Sequence, residues 1–204
     1  MTSGSRKRSL LSARGCAAAL LLSIACVLRV WATDSAALKA GVFSPPRQAP
    51  DFSLRGSDGR ELKLSAYRGK VVVLAFGYTS CPEVCPTTLA ILAQTRRRLG
   101  AAAREVQVLY VTVDPERDVA ERMAKYLGAF DPTFVGGTGT TEVLSAVRRN
   151  YGIVAEGKII GGNVAFAHSS STYLIDRGGS LRALMPYGRG PEEYVHDLKL
   201  LLQE

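Results

Sequence analysis

The stretch 71–86 reads VVVLAFGYTSCPEVCP. Its first six residues are apolar and begin with three β-branched valines, which is typical of a strand buried on both faces. Residues 87–99 then carry apolar side chains at helical spacing, with arginines on the opposite face. We therefore predict that Cys81 and Cys85 lie in the turn between a central strand and a helix.

The patterns on either side predict the rest of an α/β domain. Helices alternate with strands around a central mixed β-sheet, which is a thioredoxin-like order with an N-terminal β-hairpin. Residues 152–167 are predicted to be an insertion before the last hairpin, and Asp118 is predicted to cap the helix that it begins. The predicted elements are a hairpin of 51–54 with 61–64, a strand at 106–113, helices at 118–127 and 140–151, a strand pair of 171–176 with 181–185, and a helix at 191–202.

The basic charge of the chain is concentrated at its N-terminus. The formal net charge is +8 over 204 residues, but the first 32 residues hold five basic residues and no acidic one. The remaining 21 basic and 18 acidic residues nearly balance, so nucleic-acid binding has no support. The basic signal therefore points to targeting.

Residues 1–32 have the pattern of a secretory signal peptide. A basic segment, Arg6-Lys7-Arg8, precedes an apolar stretch at 15–28 and small residues around Ala32. The apolar stretch is shorter than the roughly 20 residues that span a bilayer, so cleavage is favoured over an uncleaved membrane anchor, which stays the alternative. Residues 33–49 are predicted to be a tether, and 50–204 the folded domain. The predicted location is periplasmic, or facing the periplasm on the inner membrane.

Export restricts the chemistry of the two remaining cysteines. Outside the cytoplasm, Cys81 and Cys85 are disulfide partners, co-ligands of a metal, or both at different times. The spacing directs both sulfurs to one side of a first helical turn, where the helix N-terminus is expected to lower a thiol pKa. A purely stabilising disulfide is disfavoured because so short a loop loses little entropy when it closes.

His168 is the candidate third ligand. It precedes the strand predicted at 171–176, and in a thioredoxin-like sheet the segment leading into that strand lies against the turn that carries the cysteines. Two thiolates and one imidazole would form a Cys₂His site suited to copper or zinc. The other histidine, His196, is predicted to be a solvated residue of the last helix.

Three motifs together resemble the SCO/SenC family. They are AFGYTSCPEVCP at 75–86, VDPERD at 113–118, and His168 ahead of YLID at 173–176, and Thr138-Gly139-Thr140 also fits. The resemblance covers roughly residues 48–202. It implies a thioredoxin-like fold that binds one copper ion, Cu(I) or Cu(II), and serves assembly of the copper centre of cytochrome c oxidase.

The resemblance also implies roles for individual residues. Cys81, Cys85 and His168 match the copper ligands of the family. Our own hypothesis is that oxidation of the two cysteines to a disulfide abolishes binding. Asp114 and Asp118 match its acidic motif, which supports the site or a partner surface; a turn aspartate and a helix cap are the alternative interpretation. This chain departs from the pattern at residue 167, where an alanine stands in place of the acid that many relatives have.

The favoured function is a copper metallochaperone. Its partners would be the copper-bearing subunit of cytochrome c oxidase and other copper chaperones, with the membrane added if the leader is uncleaved. The alternative is a thiol-disulfide oxidoreductase that uses Cys81 and Cys85 to reduce cysteines of a copper-site protein. A general disulfide exchanger is disfavoured because the chain has neither Cys-x-x-Cys nor a proline near Ser171. A peroxidase would leave His168 without a role.

Overall fold

The computed structural model describes Met1 and residues 37–160, 163–168 and 170–204, with the backbone alone for 158–160 and 163–168. The predicted leader after Met1 and the first residues of the predicted tether lie outside the described residues. The described chain from Leu38 to Glu204 forms one folded unit. Among its described helices, none combines the length and the apolar character that a bilayer crossing requires.

Most strands of the described chain join one mixed sheet. Eight strands are hydrogen-bonded in the order β1-β10-β9-β4-β5-β6-β2-β3, and two more, β7 and β8, pair separately. The bounds are β1 Gly41–Gln48, β2 Ser53–Gly56, β3 Glu61–Lys63, β4 Val71–Gly77, β5 Val106–Thr112, β6 Val135–Thr138, β7 Ala155–Ile160, β8 Asn163–His168, β9 Thr172–Ile175 and β10 Ser180–Met185.

The centre of the sheet confirms the prediction from the apolar runs. Every residue of β4 and of β5 is buried, and the two strands run parallel in continuous register. Strand β9 pairs antiparallel with the other edge of β4. Because β4 is covered on both faces and both edges, its carboxyl end is a fixed point from which the cysteine turn begins.

Four α-helices flank the sheet in the described chain. The first begins at Val84, three residues before the predicted start, because Pro86 is tolerated in a first helical turn. Thr140 caps the third helix as predicted, by accepting a hydrogen bond from the Val143 N–H at 3.4 Å. The helices are α1 Val84–Leu99, α2 Ala120–Gly128, α3 Thr141–Tyr151 and α4 Pro191–Gln203.

The predicted boundary between tether and domain is wrong. Residues 41–48, assigned to the tether, form β1, which pairs antiparallel with β10 at the edge of the sheet. Pro45-Pro46 hid this strand, since prolines lack the N–H that a ladder uses. An edge strand tolerates them because one side of it needs no donors.

Two elements were also missed between α2 and β9. Strand β6 contains Gly136-Gly137, which resembles a turn in sequence, but it pairs parallel with β5 and antiparallel with β2. The predicted insertion contains the β7–β8 hairpin, which forms a two-stranded sheet of its own. The two hairpins predicted on either side, β2–β3 and β9–β10, are confirmed.

Candidate metal centre

The two cysteines lie on one turn but in different environments. Cys85 is in the first turn of α1 and is 3% exposed, whereas Cys81 precedes the helix and is partly exposed. No disulfide joins them. The backbone N–H of Cys85 donates to Cys81 Sγ at 3.5 Å, and the N–H of Cys81 donates to the Tyr78 carbonyl at 3.3 Å. The turn therefore directs a helix N-terminal donor at the more accessible sulfur.

The Cys85 sulfur lies over Gly77, the last residue of β4. A Cβ atom at position 77 would lie 2.6 Å from Cys85 Sγ and 2.2 Å from the hydroxyl oxygen of Tyr110. Only glycine leaves room for both atoms at the carboxyl end of the strand. Tyr110, in the middle of β5, is 1% exposed. Cys85 is thus packed into the core while its turn begins at the surface.

Burial determines the acidity of Cys85. It raises the pKa of this thiol to about 12, although hydrogen bonds from the Tyr110 side chain and the Tyr78 backbone act in the opposite direction. The expectation that the helix N-terminus lowers the pKa is therefore wrong for Cys85, because loss of hydration outweighs the helix field. A metal that binds this sulfur has to displace its proton.

Asp118 connects the cysteine turn to the sheet. Its carboxylate is fully buried and accepts hydrogen bonds from the Thr79 N–H at 2.9 Å, from the Thr79 hydroxyl at 2.5 Å and from the Thr112 hydroxyl at 2.7 Å. The helix-cap interpretation is wrong, since α2 begins at Ala120 with Val119 in the capping position and no side-chain cap. Asp118 instead acts as a structural tie between Thr79 and β5.

An arginine closes this network from the solvent side. Arg122, half-exposed on α2, donates from Nε to the Thr79 hydroxyl at 2.7 Å and from a terminal nitrogen to the Ser80 hydroxyl at 3.0 Å. It also lies 3.9 Å from the Asp118 carboxylate. The two residues before Cys81 are therefore held by both a buried anion and a surface cation.

Asp114 has a different role from Asp118. It is 4% exposed and pairs with Arg117, whose guanidinium also lies 5.9 Å from the centre of the Tyr78 ring. The Asp118 N–H donates to the Asp114 carbonyl at 2.9 Å, as in a turn. Asp118 is fully enclosed, whereas Asp114 lines an open cavity together with Arg117. Their predicted roles, support of the site or a partner surface, stay predictions.

The third predicted ligand lies at the end of β8. The backbone of His168 pairs with that of Ala155, and its side chain is outside the described residues. Two residues later, Ser170, Ser171 and Thr172 line the same small cavity as Cys85. The chain that leads into β9 thus reaches the cysteine turn. Among the described side chains, no three His, Cys, Asp or Glu residues form a metal-binding group.

The other histidine is not the solvated residue that was predicted. His196 is only 26% exposed, and its Nδ1 lies 2.9 Å from the carboxylate of the fully buried Asp197. That carboxylate also accepts the backbone N–H groups of Lys39 at 2.8 Å and Ala40 at 2.9 Å. His196 therefore belongs to the anchoring of the segment that leads into β1.

Comparison with known proteins identifies the family. The SCO1/SenC family model matches residues 43–203. The chain belongs to the SCO1/SenC family. Its mixed sheet flanked by helices matches that of Sco structures, which have a thioredoxin-like fold.

Three relatives illustrate the similarity. The chain is 35% identical over 153 residues to the mitochondrial SCO2 homolog of Bos taurus, covering 73% of this chain and 58% of that relative. It is 32% identical over 169 residues to a putative copper-binding protein of Stutzerimonas stutzeri, covering 80% and 83%. Copper-bound ScoI of Bradyrhizobium japonicum superposes with a TM-score of 0.70 at 33% identity, covering 74% of this chain and 98% of that one. One of these relatives is thus named as a putative copper-binding protein, and another was solved with copper bound.

Sequence reasoning missed three residues that shape this site. Tyr110 and Arg122 contact the cysteine turn from other elements, and Gly77, although it lies within the 75–86 motif, was given no role. Gly77 carried the one usable signal, since glycine at the end of a buried strand indicates that another group approaches the backbone closely.

Proposed function

We propose that this SCO1/SenC protein is a copper metallochaperone that carries one copper ion on Cys81, Cys85 and His168. The observation that carries the proposal is the cavity shared by Cys85 with Ser170–Thr172, because it brings the chain next to His168 to the buried sulfur. Two thiolates and an imidazole are soft donors that suit copper. Zinc fits the same donors, but the copper-bound relatives favour copper.

The contrast between the sulfurs suggests an order of transfer. Cys81 is partly exposed and accepts the Cys85 N–H, so an incoming thiolate of a partner reaches the metal from this side first. Cys85 is buried and held over Gly77, so it releases copper last. Each thiol gives up its proton on binding, which means that affinity falls in acid. Oxidation of both thiols to a disulfide would remove two ligands and prevent binding.

The proposed acceptor is the copper-bearing subunit of cytochrome c oxidase, with other copper chaperones as donors. The whole-protein role is proposed from the family, since the chain covers little more than half of its mitochondrial relatives. Export to the periplasm, either released or anchored through the N-terminus, is proposed from the pattern of residues 1–32 alone. Determination of the mature N-terminus by mass spectrometry tests it, and an unprocessed chain recovered from the cytoplasm would contradict it.

Copper titration of the reduced protein tests the ligand set. His168→Ala and Cys85→Ser should each weaken binding by about a hundredfold or more, since loss of an outer-shell partner alone costs 10- to 100-fold. His196→Ala is the matched control, because it removes the other histidine and should leave the affinity unchanged. Undiminished affinity in both His168→Ala and Cys85→Ser would rule out this site.

The geometry of Cys81 keeps the oxidoreductase as a second candidate. Its sulfur is accessible to a substrate disulfide and accepts a helix N-terminal N–H. Cys81 would attack a substrate disulfide and Cys85 would then displace the reduced substrate, leaving a Cys81–Cys85 disulfide and transferring two electrons. Rapid reduction of insulin together with weak copper binding would favour this candidate, whereas slow reduction with tight binding favours the metallochaperone.

A further inference from the structure

Tyr110 is a buried tyrosine of β5 whose hydroxyl lies at the cysteine site. Its oxygen and the Cys85 sulfur are the two atoms nearest to the position that a Cβ on Gly77 would take, so both occupy the space above the same glycine. We propose that the Tyr110 hydroxyl donates a hydrogen bond to the Cys85 thiolate and thereby positions that sulfur and sets its electron density toward copper. This inference rests on the proposed function.

Among the described residues, the hydroxyl has one other hydrogen-bond acceptor, a backbone carbonyl at a long distance. Tyr110 donates to the Tyr78 carbonyl at 3.4 Å, beyond the usual range for an O–H···O bond. A side-chain hydrogen bond also connects it to Cys85. In the thiol form, Cys85 can donate its S–H to the phenol oxygen while the phenol proton points to the carbonyl. When copper displaces the thiol proton, a rotation about the C–O bond directs the phenol proton to the sulfur.

Burial of the Tyr110 hydroxyl costs free energy if it has no hydrogen-bond partner. A phenylalanine would fill the same space at the centre of the sheet, and a hydroxyl in that position is unfavourable unless it is hydrogen-bonded. Tyr110 is 1% exposed, so water does not replace a missing partner for its hydroxyl. The sulfur is therefore a better acceptor for this hydroxyl than the Tyr78 carbonyl at 3.4 Å, because a charged acceptor forms a stronger hydrogen bond than a neutral one.

A donor on a ligating sulfur changes the metal as well as the ligand. The hydrogen bond withdraws electron density from the thiolate, so the sulfur donates less strongly to copper. The reduction potential of the bound copper then rises, which favours Cu(I). Removing this hydrogen bond raises the energy of the electrons on the Cys85 sulfur. The sulfur-to-copper charge-transfer band should then move to longer wavelength.

The test compares Tyr110→Phe with the unmodified protein after addition of Cu(II) to the reduced form. The expected result is retained one-to-one binding with the charge-transfer band at longer wavelength. Tyr151→Phe is the matched control, because it removes a buried tyrosine hydroxyl that donates to the Pro50 carbonyl at 2.7 Å. The control should leave the band in place. An unchanged band in Tyr110→Phe overturns the proposal.

A second measurement covers the case in which Tyr110→Phe does not fold. Replacing all tyrosines with 3-fluorotyrosine makes each hydroxyl a stronger donor, so the band should move to shorter wavelength. An unmoved band in the folded, fluorinated protein overturns the proposal equally. If the unmodified reduced protein binds neither Cu(I) nor Cu(II), the proposed function itself fails, so the two failures are distinct.

Discussion

The cysteine turn and the β7–β8 hairpin, which carry the proposed ligands, are held in place by opposite means. The turn begins at a strand that is buried on both faces, and Asp118, Arg122 and Gly77 fix it from three directions. The hairpin that ends at His168 forms its hydrogen-bonded ladder only within itself, outside the eight-stranded sheet. The main sheet therefore fixes the sulfurs, whereas the proposed third ligand lies on a hairpin that is stabilised mainly by its own hydrogen bonds.

Hydrogen exchange should separate these two regions by the largest margin. An isolated two-stranded hairpin is marginally stable in water, so the β7 and β8 amides should exchange at least about a hundredfold faster than those of β4 and β5. Mass spectrometry of peptides from each element measures the ratio. The β9–β10 pair is the control, because it is also a hairpin but lies within the main sheet. Equal protection of β7–β8 and β9–β10 would refute the comparison.

Loss of the buried tie should be the most damaging change on the cysteine side. Asp118→Ala leaves the Thr79 N–H and the Thr112 hydroxyl without their acceptor, which should lower the free energy of unfolding by about 3 kcal/mol. Urea denaturation measures the loss. Asp58→Ala is the control, since Asp58 pairs with exposed Arg60 in a turn and should cost less than about 1 kcal/mol. A similar cost for both variants would mean that Asp118 is not a tie.

Filling the space over Gly77 should have a smaller but still measurable effect. Gly77→Ala forces the Cys85 sulfur or the Tyr110 ring to move, and overpacking of this kind costs about 1–3 kcal/mol. Gly139→Ala is the matched control, because its added Cβ meets only ordinary contacts at 3.5 Å or more. Urea midpoints of the two variants decide the question. Copper affinity should fall in Gly77→Ala alone, and unchanged stability would show that the cysteine side is not tightly fixed.

The sequence allowed prediction of those parts whose signals are local. The apolar runs of β4 and β5, the hairpin turns and the Thr140 cap each depend on a few neighbouring residues, and the structure agrees with them. Strand β1 could not be predicted because its prolines argue against a strand, and only its edge position makes them acceptable. Strand β6 was hidden by its glycines for the same kind of reason.

The candidate site likewise has a part that could be predicted from local sequence and a part that could not. Its ligating residues were proposed from residue type, spacing and the family resemblance, and the turn that holds Cys81 and Cys85 lies where the sequence placed it. The groups that hold and tune those sulfurs were not predictable, since Asp118 meets Thr79 across 39 positions and Tyr110 meets Tyr78 across 32. Periodicity reports which face of an element is buried, but it does not report which distant side chain packs against that face. Only the sheet order, with β5 beside β4, made those contacts possible.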